Sequence, residues 1–207
     1  MPPWPMDDLL RPLLIAVTDR KRISMPMAEW AKGVLDGGAD LIQLREKDLG
    51  EDELRPIAIQ LLAVTDSPRR LQINGLPNLA IELGCGLHLP EAMTNVDDPP
   101  RPFSRSIHGF QGIAAAVKPD FFVAGHLFPT PSKAGIPARG IDWLQSLAQH
   151  LDIPVVAIGG IEVGNAARAI RAGAAGVAVI GALTDAFDPC QSARELRNVI
   201  DREWMQR

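Results

Sequence analysis

Eight short apolar runs separated by helical patterns predict an α/β fold, a (β/α)₈ TIM barrel in one compact domain. Three observations carry this. The runs alternate with segments of helical period, which implies parallel strands joined by right-handed crossovers. Several runs are apolar at consecutive positions, as in Val155-Val156-Ala157-Ile158, the pattern of strands covered on both faces. Eight such units within 207 residues favour a closed barrel over an open doubly wound sheet, the alternative that pattern alone leaves open.

In chain order the strand candidates are 13–17, 41–44, 71–73, 87–89, 106–107, 121–124, 155–158 and 177–180. Helical patterns lie between most of them, at 27–35, 53–64, 76–83, 109–117, 141–149 and 164–172, often followed by a glycine or charged turn. The interval 90–102 breaks the rhythm. Pro90, Pro99, Pro100 and Pro102, with Asp97-Asp98 among them, leave no helical period, so the fourth crossover reads as an extended loop. Residues 1–207 read as a single domain, the barrel proper covering about 13–200.

The composition, 46 % hydrophobic and 22 % charged, is that of an ordinary soluble domain. A formal charge of −4 and a pI near 5.6 argue against nucleic acid or an acidic membrane as partner, since either calls for clustered positive charge. No apolar run reaches the roughly 18 residues a spanning helix needs. The first residues carry acids and prolines where a signal peptide would be basic and then apolar, so a cytoplasmic location is expected. Cys85 and Cys190 form no metal-ligand spacing and no disulfide framework, and they read as packing thiols. The oligomeric state stays open, a homo-oligomer included.

Barrel enzymes carry their chemistry where strands end, so the polar residues that follow each apolar run are the informative ones. Strand one ends in Thr18-Asp19-Arg20, strand three in Asn74-Gly75, strand five in Ser106-Ile107-His108, and strand six in Gly125-His126, followed by Thr130, Ser132 and Lys133. Gln43, Arg45 and Lys47 alternate along strand two, and a period of two puts them on one inward face. Cations placed there need anions, either Glu46 and Asp19 or a ligand. Gly159, Gly160 and Gly181 close strands seven and eight, where backbone amides, with helix starts near Gly164-Asn165 and Thr184, can cradle a phosphate. Tight βα turns would use the same glycines. His126 stands at the rim as a candidate general acid–base, and Lys133 sits on a proline- and glycine-rich loop suited to a lid. His108 is a weaker candidate, and His88 and His150 read as structural.

Val17-Thr18-Asp19-Arg20, Gln43-Leu44-Arg45-Glu46-Lys47, Ser106-Ile107-His108, the segment from Phe128 to Gly135, and Val156-Ala157-Ile158-Gly159-Gly160-Ile161 together resemble the thiamin phosphate synthase and TenI superfamily. The resemblance runs from about Leu13 to Leu183 and implies a barrel that binds a small phosphorylated thiazole. Synthases of the superfamily join hydroxymethylpyrimidine diphosphate to thiazole phosphate. They hold Mg²⁺ on one aspartate after the asparagine ending strand three and another just beyond strand four. Those positions are Gly75 and Met93 here, and neither offers the oxygen a hard cation demands. Gly125-His126 also replaces the usual glycine-proline.

These departures resemble the thiazole tautomerases, the TenI branch, and imply an isomerase that aromatises a carboxylated dihydrothiazole phosphate without metal or cofactor. On that reading His126 shuttles the proton. Gln43, Arg45, Lys47, Asn74, Ser106, Thr130, Ser132 and Lys133 bind substrate, and Gly159, Gly160 and Gly181 hold the phosphate. A synthase, which would bring Mg²⁺ with it, and a non-catalytic thiazole-phosphate-binding protein are the alternatives.

Overall fold

Strands β1 (Leu13–Val17), β2 (Leu41–Leu44), β3 (Leu71–Asn74), β4 (Gly86–Leu89), β5 (Phe103–Ile107), β6 (Phe121–Gly125), β7 (Val155–Ile158) and β8 (Gly176–Val179) pair in parallel in sequence order and close into a barrel. Closure is set by β1, whose Ile15 lies opposite Leu41 of β2 on one side and Ala178 of β8 on the other. The computed structural model describes residues 11–93, 96–110 and 117–207. Around the strands lie helices α1 (Met27–Asp36), α2 (Glu51–Leu62), α3 (Pro77–Leu83), α4 (Ile141–His150), α5 (Ala166–Arg171), α6 (Gly181–Thr184) and α7 (Pro189–Trp204). The barrel fold follows as the sequence predicts.

Alternation along each strand divides the apolar residues between two compartments. Leu13, Ile15 and Val17 of β1 join Leu41, Phe121, Val123, Val156 and Ala178 inside the barrel, while Leu14 and Ala16 pack outward into the larger layer beneath the helices. The interior is asymmetric. The β6–β8 and β1 side is apolar, whereas β2 to β5 contribute the buried Gln43, Gln72, His88 and Ser104. Gln72 Nε2 donates to Ser104 Oγ at 3.0 Å and to the Pro102 carbonyl at 3.1 Å, so the polar half is internally hydrogen-bonded.

The face opposite the strand C-termini is locked by Asp40. Its carboxylate accepts the Leu14 amide at 2.8 Å and Arg197 Nη1 of α7 at 3.0 Å, and pairs with Arg11. Burial raises the Asp40 pKa from the ordinary carboxylate value, while the Leu14 amide and Arg197 oppose that shift.

Several boundaries differ from the sequence reading. β5 starts at Phe103 rather than 106, because Asp120 Oδ2 accepts the Phe103 amide and Ser104 turns inward to bond Gln72. α2 starts at Glu51, where Glu53 accepts the Gly50 amide at 3.0 Å and three acids face the positive end of the helix dipole. β2 ends at Leu44, so Arg45 and Lys47 follow the strand and do not alternate along it. α5 begins at Ala166 with Asn165 as its N-cap, as expected near Gly164-Asn165, whereas Thr184 ends α6 where a helix start is predicted. The loop between β4 and β5 has no helix among its described residues, and Cys85 and Cys190 are free thiols. The helical pattern at 109–117 and the acidic, proline-containing start of the chain fall mostly outside the described residues. Among the described residues no helix is long and apolar enough to cross a membrane.

Candidate active site

Positioning begins at the ends of β1 and β2. Glu46, 6 % exposed, accepts Thr18 Oγ1 at 2.7 Å and the Arg20 amide at 3.1 Å, and Thr18 Oγ1 in turn accepts the Arg45 amide at 2.9 Å. Arg20 grips Asp48 through two bonds at 2.7 and 3.0 Å. Thr18, Arg20 and Glu46 therefore form a bracket whose product is the placement of Arg45. Glu46 is spent on this bracket and forms no ion pair with Arg45, Lys47 or Lys133. Among the described residues none of those three cations has a salt-bridge partner. They lie close enough to influence one another: the Lys47 pKa is lowered by the charge of Arg45 first, then by burial and by Lys133. Asp19 and Glu46 act on Arg45 through their charge without pairing with it, so the rim carries an excess of positive charge here.

Gln43 lies below this cluster, 2 % exposed in the interior. Asn74 and Ser106, at the ends of β3 and β5, are half-buried at the rim. Ser106 Oγ bonds His88 Nε2 at 2.9 Å, and His88 Nδ1 bonds Ser104 Oγ at 2.8 Å. Burial, with Arg45 and Arg105 adding to it, pushes the His88 pKa down to about 3, so a neutral imidazole fixes the Ser106 hydroxyl. Sequence reasoning missed this link. Its signal was the inward register shared by His88, Ser104 and Ser106.

His126 follows β6 directly and is 9 % exposed. Its Nε2 lies 3.2 Å from the Ile136 carbonyl, its own carbonyl accepts the Arg139 amide at 3.0 Å, and the Leu127 carbonyl accepts the Gly140 amide at 3.1 Å. These contacts tie down both ends of the loop that carries Thr130, Ser132 and Lys133. The β7 glycines let that loop approach. A Cβ on Gly159, whose φ is +99°, would stand 2.4 Å from His126 Cβ, and one on Gly160 would stand 2.5 Å from the Pro129 carbonyl oxygen.

Beyond these glycines opens a cavity of about 680 Å³. Thr130, Ser132, Gly159, Gly160 and Gly181 line it together with Asn165. Arg22, paired with Asp185, lines it too, its guanidinium packed where a Cβ on Gly181 would lie. Sequence reasoning did not single out Arg22. The predicted site residues thus fall into two groups: Arg45, Lys47, Asn74 and Ser106 on the β2–β5 side, and the glycine-lined cavity on the β6–β8 side. Lys133 belongs to the loop between.

The residues do not fit Mg²⁺ held on protein carboxylates. Gly75, φ +74°, has no side chain, and the space beside it is filled by Met93, whose Sδ lies 3.4 Å from where a Gly75 Cβ would be. A thioether is a poor partner for this cation. Glu91, the nearest acid in the loop, bonds the His108 amide and ring. Among the described residues no group of three or more His, Cys, Asp or Glu could hold a metal.

Residues 14–183 match the family described as thiamine monophosphate synthase. The chain belongs to that family. Within the thiamine monophosphate synthase family, it is 39 % identical over 196 residues to a putative thiamine-phosphate synthase of Geobacter sulfurreducens, a match covering 88 % of this chain and 92 % of the relative. It is 35 % identical to the thiamine-phosphate synthase of Mycolicibacterium smegmatis, covering 95 % of each. The structure of a thiamine phosphate pyrophosphorylase from Pyrococcus furiosus superposes with a TM-score of 0.79 at 27 % identity, over 92 % of this chain and 96 % of that one.

These relatives correct the tautomerase expectation. Gly75, Met93 and His126 point away from the synthases at three positions, but similarity to proteins named synthases extends over nearly the whole chain. The proton-shuttle role of His126 belongs to the aromatisation reading and falls with it. The contact seen is instead a bond from the His126 ring to the loop carbonyl of Ile136.

Proposed function

We propose that this chain is a thiamine-phosphate synthase that joins a hydroxymethylpyrimidine diphosphate to a thiazole phosphate. The observation that carries the reading is the division of the rim into two anion-seeking regions, as two phosphorylated substrates require. Arg45, Lys47 and Lys133 face the diphosphate, and the loops at Gly159, Gly160 and Gly181 take the thiazole phosphate beside Thr130 and Ser132. Asn74 and Ser106 orient the rings between them, Ser106 being held by His88.

In the reaction the C–O bond to the diphosphate breaks with its electron pair leaving on oxygen, and the same carbon bonds to the thiazole ring nitrogen. No proton or redox equivalent is exchanged in that step. The three cations stabilise the charge that grows on the departing diphosphate, which is where preorganised positive groups contribute most. A loop fastened at His126 and reaching over the site shields the reacting carbon from water.

The test is incubation of the purified chain with both substrates, with and without Mg²⁺, followed by separation of the products. Thiamin phosphate and pyrophosphate should appear in equal amounts. Binding of both substrates without product would instead make the chain a binding protein.

A further inference from the structure

We propose that the chain takes its diphosphate substrate as the metal-free anion, held by Arg45, Lys47 and Lys133, with no Mg²⁺ on protein ligands. The proposal rests on the synthase reading and starts from two independent features of adjoining rim segments.

The first is the closure of the β3–β4 rim to a hard cation. Gly75 contributes no ligand atom, and Met93 fills the neighbouring space with sulfur. The position of Met93 is built in. Its amide donates to the Pro90 carbonyl at 3.0 Å, and its own carbonyl accepts Arg105 Nη2 at 2.8 Å, the same nitrogen that reaches the Glu91 carbonyl at 3.2 Å. Glu91, the acid two residues before Met93, is committed to His108.

The second feature is the charge beside that rim. Arg45, Lys47 and Lys133 have no ion-pair partner among the described residues; Asp19 and Glu46 act on Arg45 only through their charge, and Glu46 is hydrogen-bonded to Thr18 and Arg20. A dication brought in without carboxylates would meet three like charges. A bare diphosphate meets three opposite ones: Arg45 is half-buried and screened less than a surface charge, while Lys47 and Lys133 are exposed. The positive charge that a metal would bring to the diphosphate is thus supplied by side chains alone.

The test is calorimetric titration with inorganic pyrophosphate in EDTA and in millimolar Mg²⁺, on the native chain and on Met93→Asp and Gly75→Asp/Met93→Asp. The native chain should bind pyrophosphate at least as tightly in EDTA as in Mg²⁺, and Arg45→Ala, Lys47→Ala or Lys133→Ala should each weaken that binding by about tenfold or more. The aspartate variants should bind more weakly in EDTA and regain affinity when Mg²⁺ is added. Aspartate tolerates the positive φ of residue 75 better than most side chains, and Met93→Asp alone leaves that backbone untouched.

Pyrophosphate binding that requires Mg²⁺ in the native chain, or no binding in either buffer, would overturn the proposal. Product assays on the same samples separate this outcome from the fate of the synthase reading. Thiamin phosphate formed only with Mg²⁺ would leave the synthase and remove the metal-free site. Metal-independent pyrophosphate binding without any thiamin phosphate would do the reverse.

Discussion

Replacing His88 by glutamine should flatten the acid side of the stability profile. In the folded chain the imidazole lies between Ser104 and Ser106, and burial holds its pKa near about 3. In the unfolded chain it protonates near the ordinary value of about 6.5. Between those two values the unfolded state binds the extra proton, so the stability conferred by neutral His88 is complete above pH 7 and drains away as the pH falls. Each pH unit is worth about 1.4 kcal/mol, which gives about 2 kcal/mol lost from this group between pH 7 and pH 5. Urea denaturation at several pH values measures it, the quantity compared being the slope of stability against pH in the native chain and in His88→Gln. The glutamine variant should lack about 2 kcal/mol of the native acid loss whatever its stability at pH 7. Equal slopes would show that His88 is not held neutral, and the fixed Ser106 hydroxyl would lose its basis.

Other predictions follow from single contacts. Gly159→Ala places a carbon 2.4 Å from His126 Cβ at a positive φ, and should cost at least about 2 kcal/mol in chemical denaturation; a cost below about 0.5 kcal/mol would mean the β6 loop yields freely. Asp40→Ala leaves Arg197 with Asp201 and the Pro12 carbonyl but removes the partner of its Nη1 and of the Leu14 amide, and should cost about 1–3 kcal/mol, read by the same assay, whereas a neutral result would exclude Asp40 as a lock. His126→Phe removes the bond to the Ile136 carbonyl, so amide exchange across residues 128–138 should accelerate while the barrel strands keep their protection. Unchanged exchange in that loop would show that His126 does not fasten it.

Much of the barrel was legible because its strands are covered on both faces and its helices have one apolar stripe, so local pattern and final environment agree. Leu13–Val17 and Val155–Ile158 read correctly for that reason. β5 was read short because Ser104 and Arg105 look like loop residues until Gln72 and the β4–β5 loop appear as their partners. The bounds of β2, Leu41–Leu44, were read correctly, but Arg45 and Lys47 were placed on its inward face; Glu46 instead turns to Thr18, and a partner 28 residues away in the chain leaves no periodic trace.

The same limit applies to the site. The rim cations and the glycine turns were visible as residue types at strand ends. The His88–Ser106 link and Arg22 depend on which strands and loops become neighbours, and they were not. The glycines also serve a second purpose that composition does not reveal. At Gly159 and Gly160 the missing side chain makes room for the β6 loop. Three rim positions read as branch markers, Gly75, Met93 and His126, outweighed in the sequence reading what similarity along the chain supports. One histidine at a rim is equally suited to fastening a loop.

The division of the rim into two anion sites is tested most directly by calorimetric titration with thiazole phosphate in the presence of saturating pyrophosphate. Two separate regions predict that thiazole phosphate still binds, one per chain, with an affinity within a few-fold of that measured alone. Mutual exclusion of the two ligands would place both anions in a single region and contradict the two-substrate barrel.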